Sequence, residues 1–178
     1  MARVFSAIDI ENEEALQKLE EVRDILDLGF KTIEKEKMHI TLQFFNDINE
    51  EEIEKVKEGL KNIDTKRFKA RIQGLGAFPS EDYIRVIWAG IEHPKIYEIQ
   101  EKASQHEVPS DDKHEFQPHI TLLRIENLSP KQKKKLKKAF EEYRDTEIGE
   151  INVNKVKLFK SELTSEGAEY TEIAEKKI

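Results

Sequence analysis

Residues 38–42 read MHITL and residues 118–122 read PHITL, so the chain carries one His-x-Thr motif twice, at an offset of 119 − 39 = 80 residues. Each motif is followed by a helix-start signal, a capping residue at Asn49 or Ser129 with Glu or Gln three positions later. The apolar residues that come next recur at helical spacing in both copies. Such self-similarity is typical of a duplicated structural unit.

The flanking segments repeat in the same order. Residues 72–78 (IQGLGAF) resemble residues 153–159 (VNKVKLF), and both alternate in polarity as a strand with one buried face does. Residues 3–10 (RVFSAIDI) resemble residues 85–91 (RVIWAGI), and each of these precedes a helical pattern. Each copy therefore predicts strand, helix, His-x-Thr strand, helix and strand, with a further strand after it.

The alternating polarity of these strands also bears on the fold class. Strands separated by helices would suit a parallel sheet, but alternation favours antiparallel sheets that are covered on one face. We therefore predict an α+β fold in which residues 1–178 form a single bilobal domain with pseudo-twofold symmetry. The repeats span about 1–84 and 85–178, each lobe is an antiparallel sheet with helices on its outer face, and the active-site cleft lies between the lobes.

Composition excludes several classes of protein. The 178 residues include 30 Lys and Arg, 37 Asp and Glu, and no cysteine, which gives a net charge of −7. Without cysteine there is no disulfide framework, thiolate nucleophile or cysteine-ligated metal. No apolar run is long enough to span a bilayer and no signal-type segment is present, so we expect a soluble cytoplasmic protein.

The distribution of charge is relevant to partners and origin. The acidic balance argues against a general nucleic-acid coat. One basic stretch, residues 131–138 (KQKKKLKK), predicts a solvated helix face, with guidance of an RNA backbone as the alternative. The Lys- and Glu-rich, cysteine-free composition is typical of thermophilic proteins.

The two His-x-Thr motifs place an imidazole and a hydroxyl on one face of each strand. His39 and Thr41 share a face because they are two residues apart, and so do His119 and Thr121. Two histidines on opposite sides of a substrate suit concerted acid–base chemistry, in which one accepts a proton and the other donates one. Threonine hydroxyls can donate hydrogen bonds to a phosphate. The alternative is a duplicated fold with two structural histidines.

The segments RVFSAIDI, MHITLQFF, GLGAFPSEDYIRVIWAGI, FQPHITLLR and VKLFKSELTSEGAEY together resemble the 2H phosphoesterase family, which is named for two His-x-Thr motifs. The closest resemblance is to its RNA 2′,3′-cyclic phosphodiesterase branch, historically called 2′–5′ RNA ligase. It covers essentially the whole chain and implies a bilobal α+β enzyme that uses neither a metal nor another cofactor. The implied reaction is hydrolysis of RNA 2′,3′-cyclic phosphate ends to 2′-phosphomonoesters, with 2′–5′ ligation as its reverse.

The resemblance also implies roles for individual residues. His39 is the proton donor and His119 the proton acceptor, while Thr41 and Thr121 hold phosphate oxygens. Arg124 matches an arginine of the second motif and is implied to bind phosphate. Strict strand alternation places it on the face opposite His119, so it reaches the phosphate only if the strand twists, bulges or ends there.

Other candidate residues rest on weaker patterns. Phe44 and Phe45 are candidates for stacking on a base, although alternation makes Phe44 a core residue first. A zinc site built on His114 and His119 has no supporting ligand spacing, so we predict no metal. The family's first motif often has a lysine where this chain has Gln43, which removes a phosphate-binding cation.

We expect a monomer, because the internal pseudo-symmetry already supplies both sides of a site. The expected partner is the 3′ terminus of an RNA that carries a 2′,3′-cyclic phosphate, or a nucleotide analogue of it. Two alternatives remain open. One is a small-molecule cyclic phosphodiesterase, and the other is a module that binds a nucleotide or RNA end without turnover.

Overall fold

A computed structural model describes residues 1–178 and contains four helices and nine strands. The helices are α1 (Glu13–Leu26), α2 (Glu50–Lys61), α3 (Pro94–Ala103) and α4 (Pro130–Tyr143). The strands are β1 (Ala2–Asp9), β2 (Lys31–Thr32), β3 (His39–Ile48), β4 (Phe68–Pro79), β5 (Ile84–Ile91), β6 (His119–Arg124), β7 (Glu147–Val153), β8 (Lys155–Thr164) and β9 (Gly167–Lys177). The single strand predicted over residues 153–159 is wrong at its start, because Val153 ends β7 and β8 begins at Lys155.

The strands form two antiparallel sheets, which confirms the predicted α+β class. Sheet A has the order β3-β1-β8-β9, and sheet B has the order β2-β6-β5-β4-β7. The sheets do not coincide with the two sequence repeats. Strand β8 of the second repeat pairs with β1, and β4 of the first repeat pairs with β5. A division near residue 84 therefore separates the two sequence repeats but not the two sheets. The sequence did not predict this, because the alternation of polarity shows which face of a strand is buried and not which strand it pairs with.

The helices that follow the two His-x-Thr strands begin at the residues that the sequence indicated. Asn49 caps α2 and Ser129 caps α4, each through a complete capping box. In α4, Pro130 occupies the first turn, where its missing N–H has no intrahelical partner to lose. These two caps turn the chain back over the sheets directly after β3 and β6, which leaves the opposite sheet faces open.

One apolar core joins the two sheets. A single cluster of 40 buried residues includes residues of both sheets and all four helices. Helices α2 and α3 contact β9 and β3 of sheet A, whereas α1 and α4 contact strands of sheet B. The lobes are thus tied together by shared packing, which holds the sheet faces that line the cleft in a fixed relation. None of the helices combines the length and the apolar stretch that crossing a bilayer requires.

Candidate active site

Each His-x-Thr strand contains an extra residue relative to its neighbour directly after the motif. In the β1–β3 pair, Ala7 lies opposite Thr41 and Ser6 opposite Gln43, so Leu42 is unmatched. In the β5–β6 pair the unmatched residue is Leu122, at the equivalent position of the repeat. A bulge of this kind shifts the in–out alternation by one residue. The side chains beyond each bulge therefore change faces.

The bulges decide on which face three of the candidate residues lie. Phe44 lines the cleft, so the expectation that it is a core residue first is wrong. Phe45 is completely buried against His106, so base stacking by this residue is ruled out. Arg124, placed on the far face by strict alternation, is exposed and lines the same cleft as His119. The same one-residue bulge in both strands accounts for the positions of all three side chains.

A cleft of about 1490 Å³ lies between the sheets and brings the predicted residues together. Of the seven candidates it is lined by His39, Thr41, Phe44, His119, Thr121 and Arg124, and only Phe45 is missing. The residues between them on the strands, Ile40 and Ile120, are fully buried, as the alternation predicts. Each His-x-Thr strand thus presents one imidazole and one hydroxyl to the cleft.

His39 is held by two hydrogen bonds and by aromatic packing. Its Nδ1 lies 2.7 Å from the carbonyl oxygen of Lys37, and its Nε2 lies 2.9 Å from Oγ1 of Thr41. Its ring stacks on Phe5 at 4.9 Å and meets the edge of Tyr170 at 5.7 Å. Because a carbonyl only accepts, Nδ1 carries the hydrogen, and Nε2 is the atom available for proton transfer.

His119 has the same backbone contact in the other sheet. Its Nδ1 donates to the carbonyl oxygen of Gln117 at 2.6 Å, which again leaves Nε2 for chemistry. Phe78 packs edge-on against its ring at 4.8 Å, and Trp88 lies 5.9 Å away. The two histidines are therefore oriented in the same way, each by the carbonyl two residues before it.

The charges around the two histidines differ. The pKa of His39 is lowered, chiefly by burial and further by the charges of His119 and Arg124, whereas the Lys37 carbonyl and the Asp9 carboxylate act to raise it. Burial also lowers the pKa of His119, and there the nearby charge is that of Arg124, which lowers it further. A carboxylate thus favours the protonated form of His39, while a guanidinium favours the neutral form of His119.

Asp9 is a functional candidate that the sequence reasoning missed. It lies directly opposite His39 in the β1–β3 pair, and its carboxylate receives a hydrogen bond from Lys157 at 3.1 Å. The equivalent position opposite His119 is Gly90. The alignment of RVFSAIDI with RVIWAGI at an offset of 82 pairs Asp9 with Ile91, so only strand pairing shows that Gly90 has the position of Asp9 beside the second histidine.

Two further expectations concern cations and metals. Gln43 points away from the cleft and is not part of its lining. Its Oε1 lies 3.3 Å from Nε2 of His106 instead. The cleft has other cationic residues instead: Arg3, Lys31, Lys37, Arg85, Lys113 and Arg124. No group of three or more His, Cys, Asp or Glu side chains comes together in a way that would hold a metal ion.

The two opposed His–Thr pairs, in a cleft between antiparallel sheets, define a two-histidine phosphoesterase. A family model described as LigT like Phosphoesterase matches residues 8–88 and 92–170. The chain belongs to this family, the 2H phosphoesterases, so the predicted family is confirmed, and the prediction that the chain is an enzyme is confirmed with it.

Individual relatives agree with this placement. The chain is 37% identical to the RNA 2′,3′-cyclic phosphodiesterase of Methanocaldococcus jannaschii, over 97% of this chain and 99% of the relative. It is 36% identical to the protein of the same name from Aeropyrum pernix, over 83% and 85%. The relatives come from thermophiles, in line with the composition.

Solved structures share the fold. A crystal structure of a Thermus thermophilus protein matches with a TM-score of 0.76 at 26% identity, over 97% of this chain and 96% of the other. Escherichia coli LigT complexed with 3′-AMP matches with a TM-score of 0.75 at 19% identity, over 99% and 98%. The second likeness shows the fold alone.

Proposed function

We propose that the protein hydrolyses 2′,3′-cyclic phosphate ends of RNA to 2′-phosphomonoesters by metal-independent general acid–base catalysis. The observation that carries the proposal is the pair of His–Thr sets in one cleft, each histidine held with Nε2 available. The names of the relatives from Methanocaldococcus jannaschii and Aeropyrum pernix support the RNA substrate. The expected partner is an RNA 3′ terminus, and the monomeric state and cytoplasmic location remain predictions.

In this proposal the two histidines transfer protons in opposite directions. His119 accepts a proton from water through Nε2 as the water oxygen attacks phosphorus. His39 donates its Nε2 proton to the 3′ oxygen as the bond from phosphorus to that oxygen breaks, which leaves the phosphate on the 2′ oxygen. When a 5′-hydroxyl replaces water as the nucleophile, the same proton transfers form a 2′–5′ linkage.

The charges in the cleft support this assignment of acid and base. The donor must be protonated before the reaction; burial lowers the pKa of His39, and the Asp9 carboxylate, which has no counterpart at His119, opposes that lowering. The acceptor must be neutral, and the Arg124 charge lowers the pKa of His119. A general acid and a general base whose environments differ in this way are suited to work at one pH.

The hydroxyls and the arginine are assigned to the phosphate. Oγ1 of Thr41 lies 2.9 Å from Nε2 of His39, so an oxygen that it binds is adjacent to the proton donor. Thr121 has the equivalent position in the second motif. Arg124 supplies a positive charge and a fork of donors, which suits a phosphate whose charge grows during the reaction.

The test is incubation of the protein with an RNA oligonucleotide that ends in a 2′,3′-cyclic phosphate, with the product identified by mass and by ³¹P NMR. We expect a 2′-phosphate, and a rate that excess EDTA does not change. His39→Ala and His119→Ala are each expected to lose about 10²- to 10⁴-fold in kcat. His114→Ala is the matched control, because this residue also lines the cleft but has no assigned role.

Three outcomes would contradict parts of the proposal. A 3′-phosphate product would mean that the 2′ oxygen, and not the 3′ oxygen, is the leaving group. Loss of activity in EDTA would indicate that the reaction needs a metal ion. Full activity of the His39→Ala, His119→Ala double variant would exclude histidine catalysis. A much higher kcat/KM for a cyclic mononucleotide than for the oligonucleotide would favour a small-molecule enzyme, and binding without any product would favour a binding module.

A further inference from the structure

Helix α4 carries a basic surface that the proposed reaction does not use. Every residue from 131 to 138 except Gln132 and Leu136 is lysine. Leu136 is buried, and the lysines are partly or fully exposed. We call the lysine side chains of this segment the α4 basic face: Lys131, Lys133, Lys134, Lys135, Lys137 and Lys138.

Few of these charges are neutralised within the protein. Lys137 pairs with the Asp82 carboxylate at 2.9 Å, and Lys133 donates to the Asp82 carbonyl oxygen at 2.5 Å. Lys138 lies 3.9 Å from Glu142. The remaining lysines form no ion pair in the structure: Lys131, Lys134 and Lys135. In a protein with a net charge of −7, this is a concentrated patch of the opposite sign.

The position of these lysines is unfavourable for the helix itself. The first turn of a helix carries a partial positive charge and is stabilised by acidic side chains. Helices α1 and α2 have acidic residues in the first turn, whereas α3 and α4 have none and carry lysine there, one in α3 and two in α4. An anionic partner bound at this end of α4 would offset that repulsion.

The repeat shows that the fold does not require a basic helix here. The equivalent helix after the first motif is α2, which reads EEEIEKVKEGLK. Its lysines are each paired with a glutamate one turn away: Lys55 with Glu51, Lys57 with Glu54, and Lys61 with Glu58. The same role in the architecture is therefore filled by a helix with balanced charge, and the α4 basic face is specific to the second copy.

Two lysines of the α4 basic face, Lys133 and Lys137, lie near the rim of the cleft. Asp82, which contacts two of its lysines, lies in the loop that joins Pro79 to Arg85, and both of those residues line the cleft. Three residues of chain reach at most about 10 Å. The helix also starts six positions after Arg124, at the end of the strand that carries His119.

We propose that the α4 basic face binds the phosphate backbone of the RNA upstream of the cyclic end. This proposal rests on the proposed function, because the cyclic end must occupy the cleft for the chain to leave it past Arg85 and Arg124. Lysines without acidic partners suit this role, since each is a point charge for a phosphate and reads no sequence. The protein would then bind RNA of any sequence, with an affinity that depends on length and salt.

The test compares two variants that lose the same charge. One is Lys131→Gln, Lys134→Gln, Lys135→Gln in α4, and the control is Lys55→Gln, Lys57→Gln, Lys61→Gln in α2. Binding of a long single-stranded RNA with a 3′-hydroxyl end is followed by fluorescence anisotropy over a salt series. We expect weaker binding by the α4 variant, and a slope of log affinity against log salt that is about 2 units shallower, from about 0.7 per phosphate contact in a single strand.

Hydrolysis gives a second readout. The ratio of kcat/KM for a long cyclic-ended RNA to that for a cyclic mononucleotide is expected to fall in the α4 variant and to stay unchanged in the α2 control. Equal binding and equal salt slopes in the two variants would overturn the proposal. Failure of the wild-type protein to hydrolyse either substrate would instead contradict the proposed function, and the anisotropy comparison would still decide whether α4 binds RNA.

Discussion

Arg124 offers the sharpest test of the site, because the bulge in β6 alone brings it into the cleft. Its side chain lines the cleft on the His119 strand, and its charge lowers the pKa of both His39 and His119. If it binds the reacting phosphate, Arg124→Ala removes a charge-assisted hydrogen bond of about 1.5–3 kcal/mol. That range corresponds to a loss of about 10- to 150-fold in kcat/KM, since about 1.4 kcal/mol is tenfold.

The same substitution changes the pH dependence in a fixed direction. Without the positive charge of Arg124, the pKa values of both histidines rise. Activity needs neutral His119, which sets the low-pH limb, and protonated His39, which sets the high-pH limb. Both limbs of the bell-shaped kcat/KM profile are therefore expected to move to higher pH, and initial rates on a cyclic-ended RNA over a pH series measure the shift.

Two further variants separate charge from geometry. Arg124→Lys keeps the charge but loses the planar fork, so we expect the pH profile to stay in place and kcat/KM to fall by less than in the alanine variant. Arg71→Ala removes an arginine from β4 that pairs with Glu147 and does not line the cleft. An Arg124→Ala enzyme with the kcat/KM and the pH profile of Arg71→Ala would refute the placement of Arg124 at the phosphate.

Three other substitutions test neighbouring features. Asp9→Asn is expected to lower the pKa of His39 and to move the high-pH limb of the kcat/KM profile to lower pH, with the limb of His119 in place; movement of both limbs together would contradict this. Phe45→Ala is expected to cost about 3–5 kcal/mol in urea unfolding, because the ring is fully buried. Phe44→Ala is expected to raise KM for RNA with little change in unfolding, and the opposite pattern would reverse the two assignments.

The sequence was sufficient for the strands and for the central site residues. His39, Thr41 and their second-motif counterparts lie where a two-residue period puts them, since Ile40 and Ile120 are buried between them. The two-residue alternation fails two residues further on, because each strand has a bulge there. The unmatched residues, Leu42 and Leu122, are apolar, which is compatible with a regular strand as well as with a bulged one. Nothing in the local pattern distinguishes a bulged strand from a regular one there.

Strand pairing was the other feature that lay beyond the sequence pattern. Repeats of similar sequence predict similar elements, but the exchange of β4 and β8 between the sheets depends on long-range contacts. For the same reason Asp9 was missed. Its position in β1 is plain in the sequence, but only the register of β1 against β3 brings it opposite His39.

A two-histidine site built by duplication has an inherent difficulty, and two differences between the repeats bear on it. Two equivalent histidines would titrate alike, whereas acid–base catalysis needs one protonated and one neutral. The symmetry is broken at two positions: Asp9 lies opposite His39 where Gly90 lies opposite His119, and Arg124 takes the place that Phe44 has in the first motif. Asp9 lies on the strand that pairs with the His39 strand, and Arg124 lies on the strand of His119. The Arg124 charge lowers the pKa of both histidines, whereas the Asp9 carboxylate acts on His39 and has no counterpart at His119, so it is Asp9 that favours His39 as the acid in the proposed mechanism.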